Sequence, residues 1–258
     1  MIFIKKKGLT CAMIQARMGS TRFPGKMIAD LIGKPVIWHV LKQVKKSEFV
    51  DKVILATSNK AADNILESEV KKEDVVVFRG SENDVLDRFY HCAKKFGATT
   101  IVRITGDCPL IDPEIIDNVI RLFIDNNCDY VSNTNPPTFP DGMDVEVFSF
   151  DALEKAWLNA KLKSEREHVT PYMRKYDNLF KIKNFENKRD LSKYRLTLDE
   201  KEDLILIRRI LKELDDKKEY NLSDIIHILE SKPELIEINK NYERNEGYKK
   251  SLRNDVNF

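Results

Sequence analysis

Met13-Ile14-Gln15-Ala16-Arg17-Met18-Gly19-Ser20-Thr21-Arg22-Phe23-Pro24-Gly25-Lys26 is the stretch that decides how this 258-residue chain is read. Residues 9–15 form an apolar run of strand length. Leu31, Val36, Ile37, Val40, Leu41 and Val44 follow at helical spacing. The loop therefore sits where a first strand hands over to a helix, expected over residues 28–45 with Pro35 in its first turn. Arg17, Arg22 and Lys26 share it with Gly19, Ser20, Thr21 and Gly25. Small residues let backbone N–H groups close on an anion, and the cations supply the charge that phosphate oxygens need. No Gly-Lys-Ser/Thr closes the loop, so it is not a Walker loop. Out of context, the same residues also read as a solvated basic turn.

Outward from this loop, strands and helices alternate. Strands are expected at 52–58, 75–80, 99–105 and 130–132, and helices at 61–71, 84–96 and 113–126. Mostly unbroken apolar strands between helices indicate an α/β fold with a parallel sheet covered on both faces. Ligands of such sheets bind beyond the carboxyl ends of the strands. The cationic loop, Thr57-Ser58, Arg79-Gly80 and Asp107 all fall there. After residue 133 the pattern breaks into a turn-rich loop at 135–142. Strands are then expected at 143–148, 179–185 and 195–198, and helices at 149–160, 202–215 and 222–229. Residues 216–258 read as a cap, a dimer arm or a tail that adds little core.

Composition narrows the class. A hydrophobic content of 42% supports a sizeable core, and the length suits one large domain or a domain with an appendage. The 44 Lys and Arg nearly balance the 42 Asp and Glu, which argues against nucleic acid or an anionic membrane as partner. Cys11, Cys92, Cys108 and Cys128 show no C-x-x-C spacing, so buried thiols in a reducing compartment are expected. Residues 1–7 form neither a signal peptide nor a membrane span, and a cytoplasmic location is expected.

Thr105-Gly106-Asp107-Cys108-Pro109-Leu110-Ile111 places a carboxylate just after a strand. By itself Asp107 is either an Asx-turn cap or a hard oxygen ligand for a divalent cation on a triphosphate. Arg195-Leu196-Thr197-Leu198-Asp199-Glu200-Lys201-Glu202-Asp203-Leu204 offers further acids, which would also suit a solvated helix start. Arg103 interrupts an apolar strand, where an unpaired charge is costly, and should face a ligand or a buried acid. Asp144 and Glu146 share one face of the 143–148 strand. Ser164-Glu165-Arg166-Glu167-His168-Val169-Thr170-Pro171-Tyr172 holds a lone histidine, a general base or a structural ring.

With these motifs in view, the chain resembles the sugar cytidylyltransferases over roughly residues 10–210. It is closest to the SpsF-like branch of spore-coat polysaccharide biosynthesis, related to acylneuraminate and Kdo cytidylyltransferases. The carriers are the cationic loop, Gly106-Asp107-Cys108-Pro109-Leu110, Gly80 to Phe89, and the Glu167-His168-Val169-Thr170-Pro171 stretch. The resemblance implies a Rossmann-like three-layer sandwich of the nucleotide-diphospho-sugar transferase (GT-A-like) type. It implies a nucleotidyltransferase domain over 1–215, an acceptor and dimer subregion at about 134–195, and a helical appendage at 216–258. The implied enzyme transfers CMP from CTP to a sugar, sugar acid or phosphorylated acceptor for surface glycan synthesis, releasing pyrophosphate. It would work as a homodimer with Mg²⁺ or Mn²⁺.

By the same resemblance Asp107 and Asp199 are the metal ligands, and Asp203 starts a helix. Glu200-Lys201 stands where relatives often have Thr-Pro. Arg17, Lys26 and Asp107 are the expected catalytic groups. Gln15, Ala16, Arg17, Gly19, Ser20, Arg22, Lys26, Thr57, Ser58, Arg79, Asp87, Arg88, Thr105 and Gly106 are the expected nucleotide contacts. Arg103, Asp144, Glu146, Glu165, His168 and Tyr172 are assigned to the acceptor. Arg79 and Arg88 read equally well as salt-bridge partners. The preference for CTP rests on the resemblance alone. The alternatives are a glycosyltransferase using a nucleotide sugar and a non-catalytic nucleotide-binding module; the single Asp of Gly106-Asp107-Cys108, where a glycosyltransferase would show Asp-x-Asp, weighs against the first.

Overall fold

Leu9–Gln15 (β1) sits in the middle of the sheet, and its side chains explain why. Cys11 and Met13 are buried in one core, Ala12 and Ile14 in the other, so the strand has no polar face to offer water. The computed structural model describes residues 8–214 and 219–258. The reading of residues 1–7 and the boundary at 215/216 fall outside them.

A hairpin follows, Asp30–Leu31 (β2) and Lys34–Pro35 (β3), then Val36–Val44 (α1), Lys52–Ser58 (β4), Asn64–Lys71 (α2) and Val76–Gly80 (β5). Next come Val85–Phe96 (α3), Ala98–Thr105 (β6), Pro113–Asn126 (α4), Tyr130–Ser132 (β7), Glu146–Ser149 (β8) and Phe150–Asn159 (α5). The last part holds Lys163–His168 (α6), Pro171–Lys175 (α7), Ile182–Asn184 (β9), Lys201–Glu213 (α8), Leu222–Ser231 (α9) and Glu246–Arg253 (α10).

The seven-stranded sheet has the order β5-β4-β1-β6-β8-β7-β9, and β8 alone runs against its neighbours. Helices α1, α2, α4, α8 and α9 cover the face bearing Ala12 and Ile14; α3, α5 and α7 cover the other. The result is the expected three-layer α/β sandwich. Among the described residues no helix is long and apolar enough to cross a membrane. The order reverses between β1 and β6: β4 and β5 extend the sheet to one side, and β6 returns to the other. A crevice opens at such a reversal, beyond the carboxyl ends of the two strands. Gln15 and Thr105 are partners in the register there.

Five parts of the chain differ from the sequence reading. The helix expected from residue 28 starts only at Val36, because Ile32 (φ 53°) and Gly33 (φ 76°) make the two-residue turn of the β2–β3 hairpin. Leu31 is buried in the core from that hairpin, which mimics the helical period. The strand at 143–148 begins only at Glu146; before it, the Asn133 side chain bonds Met143 O and Val145 N–H. The strand at 179–185 shortens to β9 behind a 3₁₀ turn at Asp177–Leu179. Residues 195–198 run extended without joining the sheet, stitched instead to Asp141 and Asp107. Finally, residues 222–235 add to the core rather than lying over it. Ile225, Ile226, Leu229 and Leu235 enter the core, and α10 packs on α6.

Candidate active site

Gly106 makes the crevice possible. Its N–H donates to Gln15 O at 2.9 Å, and a Cβ there would lie 2.7 Å from Ala16 Cβ and 2.9 Å from Met27 Sδ. Only glycine lets the β6 exit pass this close to the β1 exit, which delivers Asp107 to the floor of the crevice. The cationic loop is pinned from behind by buried Asp63. Its Oδ1 accepts the Met18 N–H at 2.7 Å, and its Oδ2 accepts Thr57 Oγ1 at 3.0 Å and Ser58 Oγ at 2.5 Å. Burial opposes ionisation of Asp63, yet these donors together hold its carboxyl below the usual range.

Gly25, at φ 75°, turns the loop into a 3₁₀ turn that buries Lys26. The Lys26 ammonium donates to Asp107 Oδ2 at 2.9 Å, Asp199 Oδ1 at 2.7 Å and Leu198 O at 3.0 Å. Burial favours the neutral amine, but the two carboxylates win and raise its pKa. Burial likewise works against Asp107, and Lys26 with Thr105 overcomes it, bringing the carboxyl down to about 2.

Asp199 reaches this point because the 195–199 segment is stitched beside Asp107, with Leu198 N–H donating to Asp107 O at 2.8 Å. It is set by a buried clamp behind it. Asp203, with no exposed surface, caps α8 by accepting the N–H groups of Asp199 (2.9 Å) and Glu200 (2.8 Å). Arg195 holds the same carboxylate with two 2.9 Å bonds, and Asn239 adds a further one at 2.8 Å.

The crevice has two compartments. One, of about 420 Å³, is lined by Ala16, Arg17, Gly19, Ser20, Arg88 and Gly106. The other, of about 270 Å³, is lined by Arg103, Asp141, Asp144, Glu146, Arg174 and Tyr248. Gln15, Arg22, Thr105, Asp107, His168 and Asp199 belong to both. Most residues read as nucleotide contacts line the first compartment, and Arg103, Asp144, Glu146 and His168 line the second, with Asp107 and Asp199 common to both.

In the first compartment, Arg22 is 2.8 Å from Asp199, 3.3 Å from Glu200 and 3.2 Å from Glu246. Arg17 bonds Glu82 O at 3.4 Å. Arg88 is 1% exposed; one bond goes to Ser81 O at 3.1 Å, and among the described residues it has no carboxylate partner and its Nε no hydrogen-bond partner. Burial, with Arg17 and Arg103 nearby, brings its pKa down to about 10. A buried guanidinium with spare donors is costly unless a ligand uses them.

In the second compartment, Arg103 donates to Gln15 Oε1 at 3.1 and 2.9 Å and pairs with Glu146. Glu146 also accepts from Tyr130 and Thr170, both at 2.6 Å. Burial would raise its pKa, but Arg103 and Arg174 keep it ionised. Asp144 pairs with Arg244, and burial still raises its pKa. Burial and neighbouring Asp144 push Asp141 up to about 7. His168 lies 2.9 Å from Ser251 Oγ and edge-on to Tyr248. Burial, reinforced by Arg103 and Arg174, outweighs Glu167 and drops its pKa to about 4, so the ring is neutral near pH 7.

Six expected contact residues stand outside the crevice. Thr57 and Ser58 bond Asp63 and brace the loop. Arg79 is spent on Ser58 O, Lys60 O, Asn64 and Glu67. Asp87 accepts Trp157 Nε1 at 2.9 Å. Glu165 caps the start of α6 through the N–H groups of Lys161 and Leu162. Tyr172 packs on Tyr176 and Phe180. Conversely, Arg174, Arg244, Glu246 and Tyr248 went unread. The available signal was Arg244-Asn245-Glu246-Gly247-Tyr248, a glycine beside an aromatic in a tail rich in charge.

Asp107 and Asp199 suit a divalent cation. Both carboxylates touch one ammonium, so their oxygens already converge on a point. Among the described residues no group of three or more His, Cys, Asp or Glu could hold an ion. Two hard oxygen donors completed by phosphates and water is the pattern expected for Mg²⁺ on a nucleotide.

Comparison with known proteins gives the family. A family model described as cytidylyltransferase matches residues 11–246. The chain is 42% identical over 231 residues to an uncharacterized protein of Methanocaldococcus jannaschii, covering 89% of this chain and 93% of that one. It is 34% identical over 229 residues to the spore coat polysaccharide biosynthesis protein SpsF of Bacillus subtilis, covering 86% and 94%. A solved cytidylyltransferase from Leptospira borgpetersenii superposes with a TM-score of 0.85 at 38% identity, over 88% of this chain and 96% of that one. With a phosphate-suited loop at the sheet's reversal and relatives matched nearly end to end, the chain belongs to the cytidylyltransferase family.

Proposed function

We propose that the protein transfers CMP from CTP to an oxygen of a sugar, sugar acid or phosphorylated acceptor in surface glycan synthesis. The observation that carries this reading is the pair of compartments meeting at Asp107 and Asp199, cation-lined on one side and mixed in charge on the other. CTP lies in the larger compartment with its α-phosphate over the carboxylate pair. The acceptor lies in the smaller one, so its oxygen approaches from the side opposite the leaving group. A bond forms between the acceptor oxygen and the α-phosphorus, and the α–β phosphoanhydride bond breaks. The acceptor proton leaves to solvent or a carboxylate, and pyrophosphate departs.

Such a reaction depends on positioning and on neutralising charge. Arg17 and Arg22 bind the β- and γ-phosphates, and Lys26, held at the carboxylate pair, faces the charge growing on the bridging oxygen. Mg²⁺ or Mn²⁺ held by Asp107 and Asp199 would neutralise phosphate oxygens and orient the α-phosphorus. Arg103, ordered by Gln15 and Glu146, orients the acceptor. A homodimer in the cytoplasm belongs to the same reading.

Calorimetric titration of ATP, GTP, UTP and CTP with Mg²⁺ into the wild type and Asp107→Ala tests it. Selective CTP binding that the variant loses is expected, followed by acceptor-dependent pyrophosphate release. Preferential binding of a nucleotide sugar would overturn the reading in favour of a glycosyltransferase.

A further inference from the structure

The cations of the loop are all engaged inside the protein. Lys26 is held by Asp107 and Asp199, and Arg17 stands 4.0 Å from the Glu82 carboxylate. Arg22 meets three carboxylates at once, those of Asp199, Glu200 and Glu246. A triphosphate brings more negative charge to a loop whose three cations already face internal acids. At least one internal acid has to leave Arg22 before a phosphate oxygen can take its fork.

The three acids differ in how firmly they are held. Asp199 is fixed by Lys26 through one oxygen and by Asp203 through its N–H. Glu200 is the cap residue of α8 and is tied into the same capping box. Glu246 stands at the start of α10, a helix with no buried residue. Its side chain is 38% exposed, and beyond Arg22 it accepts the Glu243 N–H at 3.3 Å. It lines both compartments, and the family match ends at this residue, so α10 lies almost wholly outside the shared family core.

We propose that Glu246 is an internal competitor of the nucleotide. Its carboxylate occupies the side of Arg22 that a triphosphate oxygen takes in the complex, so Glu246 sets nucleotide affinity and swings away as CTP binds. The inference rests on the cytidylyltransferase reading. It treats Glu246 as a determinant of affinity that makes no contact with the reacting atoms.

Titrating CTP with Mg²⁺ into wild type, Glu246→Gln, Arg22→Met and the double variant tests it. Glutamine keeps the length of the side chain and removes the charge. Glu246→Gln is expected to bind CTP about 3–10-fold more tightly, the scale of an exposed ion pair plus relieved like-charge repulsion. The gain shrinks as salt rises. In the Arg22→Met background the same substitution is expected to change affinity less than about 2-fold, since sites coupled through one partner are not additive. Inorganic pyrophosphate as a second probe is expected to follow the same order. Unchanged or weaker CTP binding by Glu246→Gln overturns the inference, as does an equal gain in the Arg22→Met background. If no protein in the set binds CTP, the cytidylyltransferase reading falls and takes the inference with it. CTP binding that is indifferent to Glu246 leaves that reading standing.

Discussion

Lys26 holds together two carboxylates that would otherwise repel each other across the floor of the crevice. Its ammonium also stands where charge is expected to grow as pyrophosphate leaves. Lys26→Met should therefore lower kcat by about 100–1,000-fold, with KM for CTP changing less than about 10-fold, the pattern of a group acting mainly in the transition state. Steady-state pyrophosphate release measures it, and an unchanged kcat would remove Lys26 from the chemistry. His168 behaves in the opposite way. With its pKa pushed down to about 4, it has no proton to exchange near neutrality, and Ser251 occupies its Nε2. His168→Gln should leave the shape of the kcat–pH profile between pH 6 and 8 unchanged. The same shift has a stability consequence. The fold favours the neutral ring, so the contribution is complete above the ordinary value of 6.5 and is lost as pH falls toward 4. The full loss is on the order of 3 kcal/mol. Urea melts at pH 7.5 and 4.5 should show wild type losing more stability on acidification than His168→Gln; equal losses would mean the ring is protonated without penalty.

At the scale of elements, the acidic turn before α8 carries the site. Asp203 is the common anchor of Asp199, Glu200, Arg195 and Asn239. Asp203→Ala removes the two-bond partner of buried Arg195, leaving it Asp141 at 3.3 Å and Glu243 O at 3.1 Å, and should cost about 2–4 kcal/mol in urea denaturation. Replacing both partners, as Arg195→Met with Asp203→Leu, should recover much of that stability. Activity should not return with it, because Asp199 has lost the carboxylate that holds its N–H. Recovery of both would show that the clamp serves stability alone. Elements of this kind divide what sequence can disclose from what it cannot. The bounds of β1, β4 and α4 were legible because burial on both faces, or a cap of Asp112 with Pro113, leaves a local mark. Asp107 and Asp199 were legible through motif resemblance. The hairpin at residues 30–35 was not, since Leu31 supplies the apolar residue a helix would have supplied. The outward turn of Arg79 was hidden too, because strand-end position does not say which way a side chain leaves the sheet, and Asp87, in the first turn of α3, carries no mark of the face on which it meets Trp157.

At the scale of the whole molecule, the crevice is walled on one side by the end of the chain. Arg244 reaches back to Asp144 and to Phe139 O, Tyr248 stacks beneath Arg174, and Ser251 meets His168 and Glu167. None of this follows from hydrophobic periodicity, since α10 buries no residue and its contacts are polar or aromatic across more than 70 positions of sequence. A wall built this way can be removed without dismantling the core. Ending the chain after Arg244 keeps the Asp144 pair and the buried Asn239, and it deletes only half-buried or exposed residues. The melting temperature should fall by no more than about 4–8 °C, the equivalent of roughly 2 kcal/mol for a chain of this size. CTP affinity should rise as in Glu246→Gln, because the same competitor has gone. The acceptor identified by pyrophosphate release should show a KM at least about 10-fold higher, since Tyr248 no longer closes its compartment. Tighter CTP with an unchanged acceptor KM would confine the role of the C-terminal segment to the nucleotide side; a rise in acceptor KM alone would confine it to the acceptor side. Both changes together are expected, because Glu246 and Gly247 face both compartments at the point where they meet.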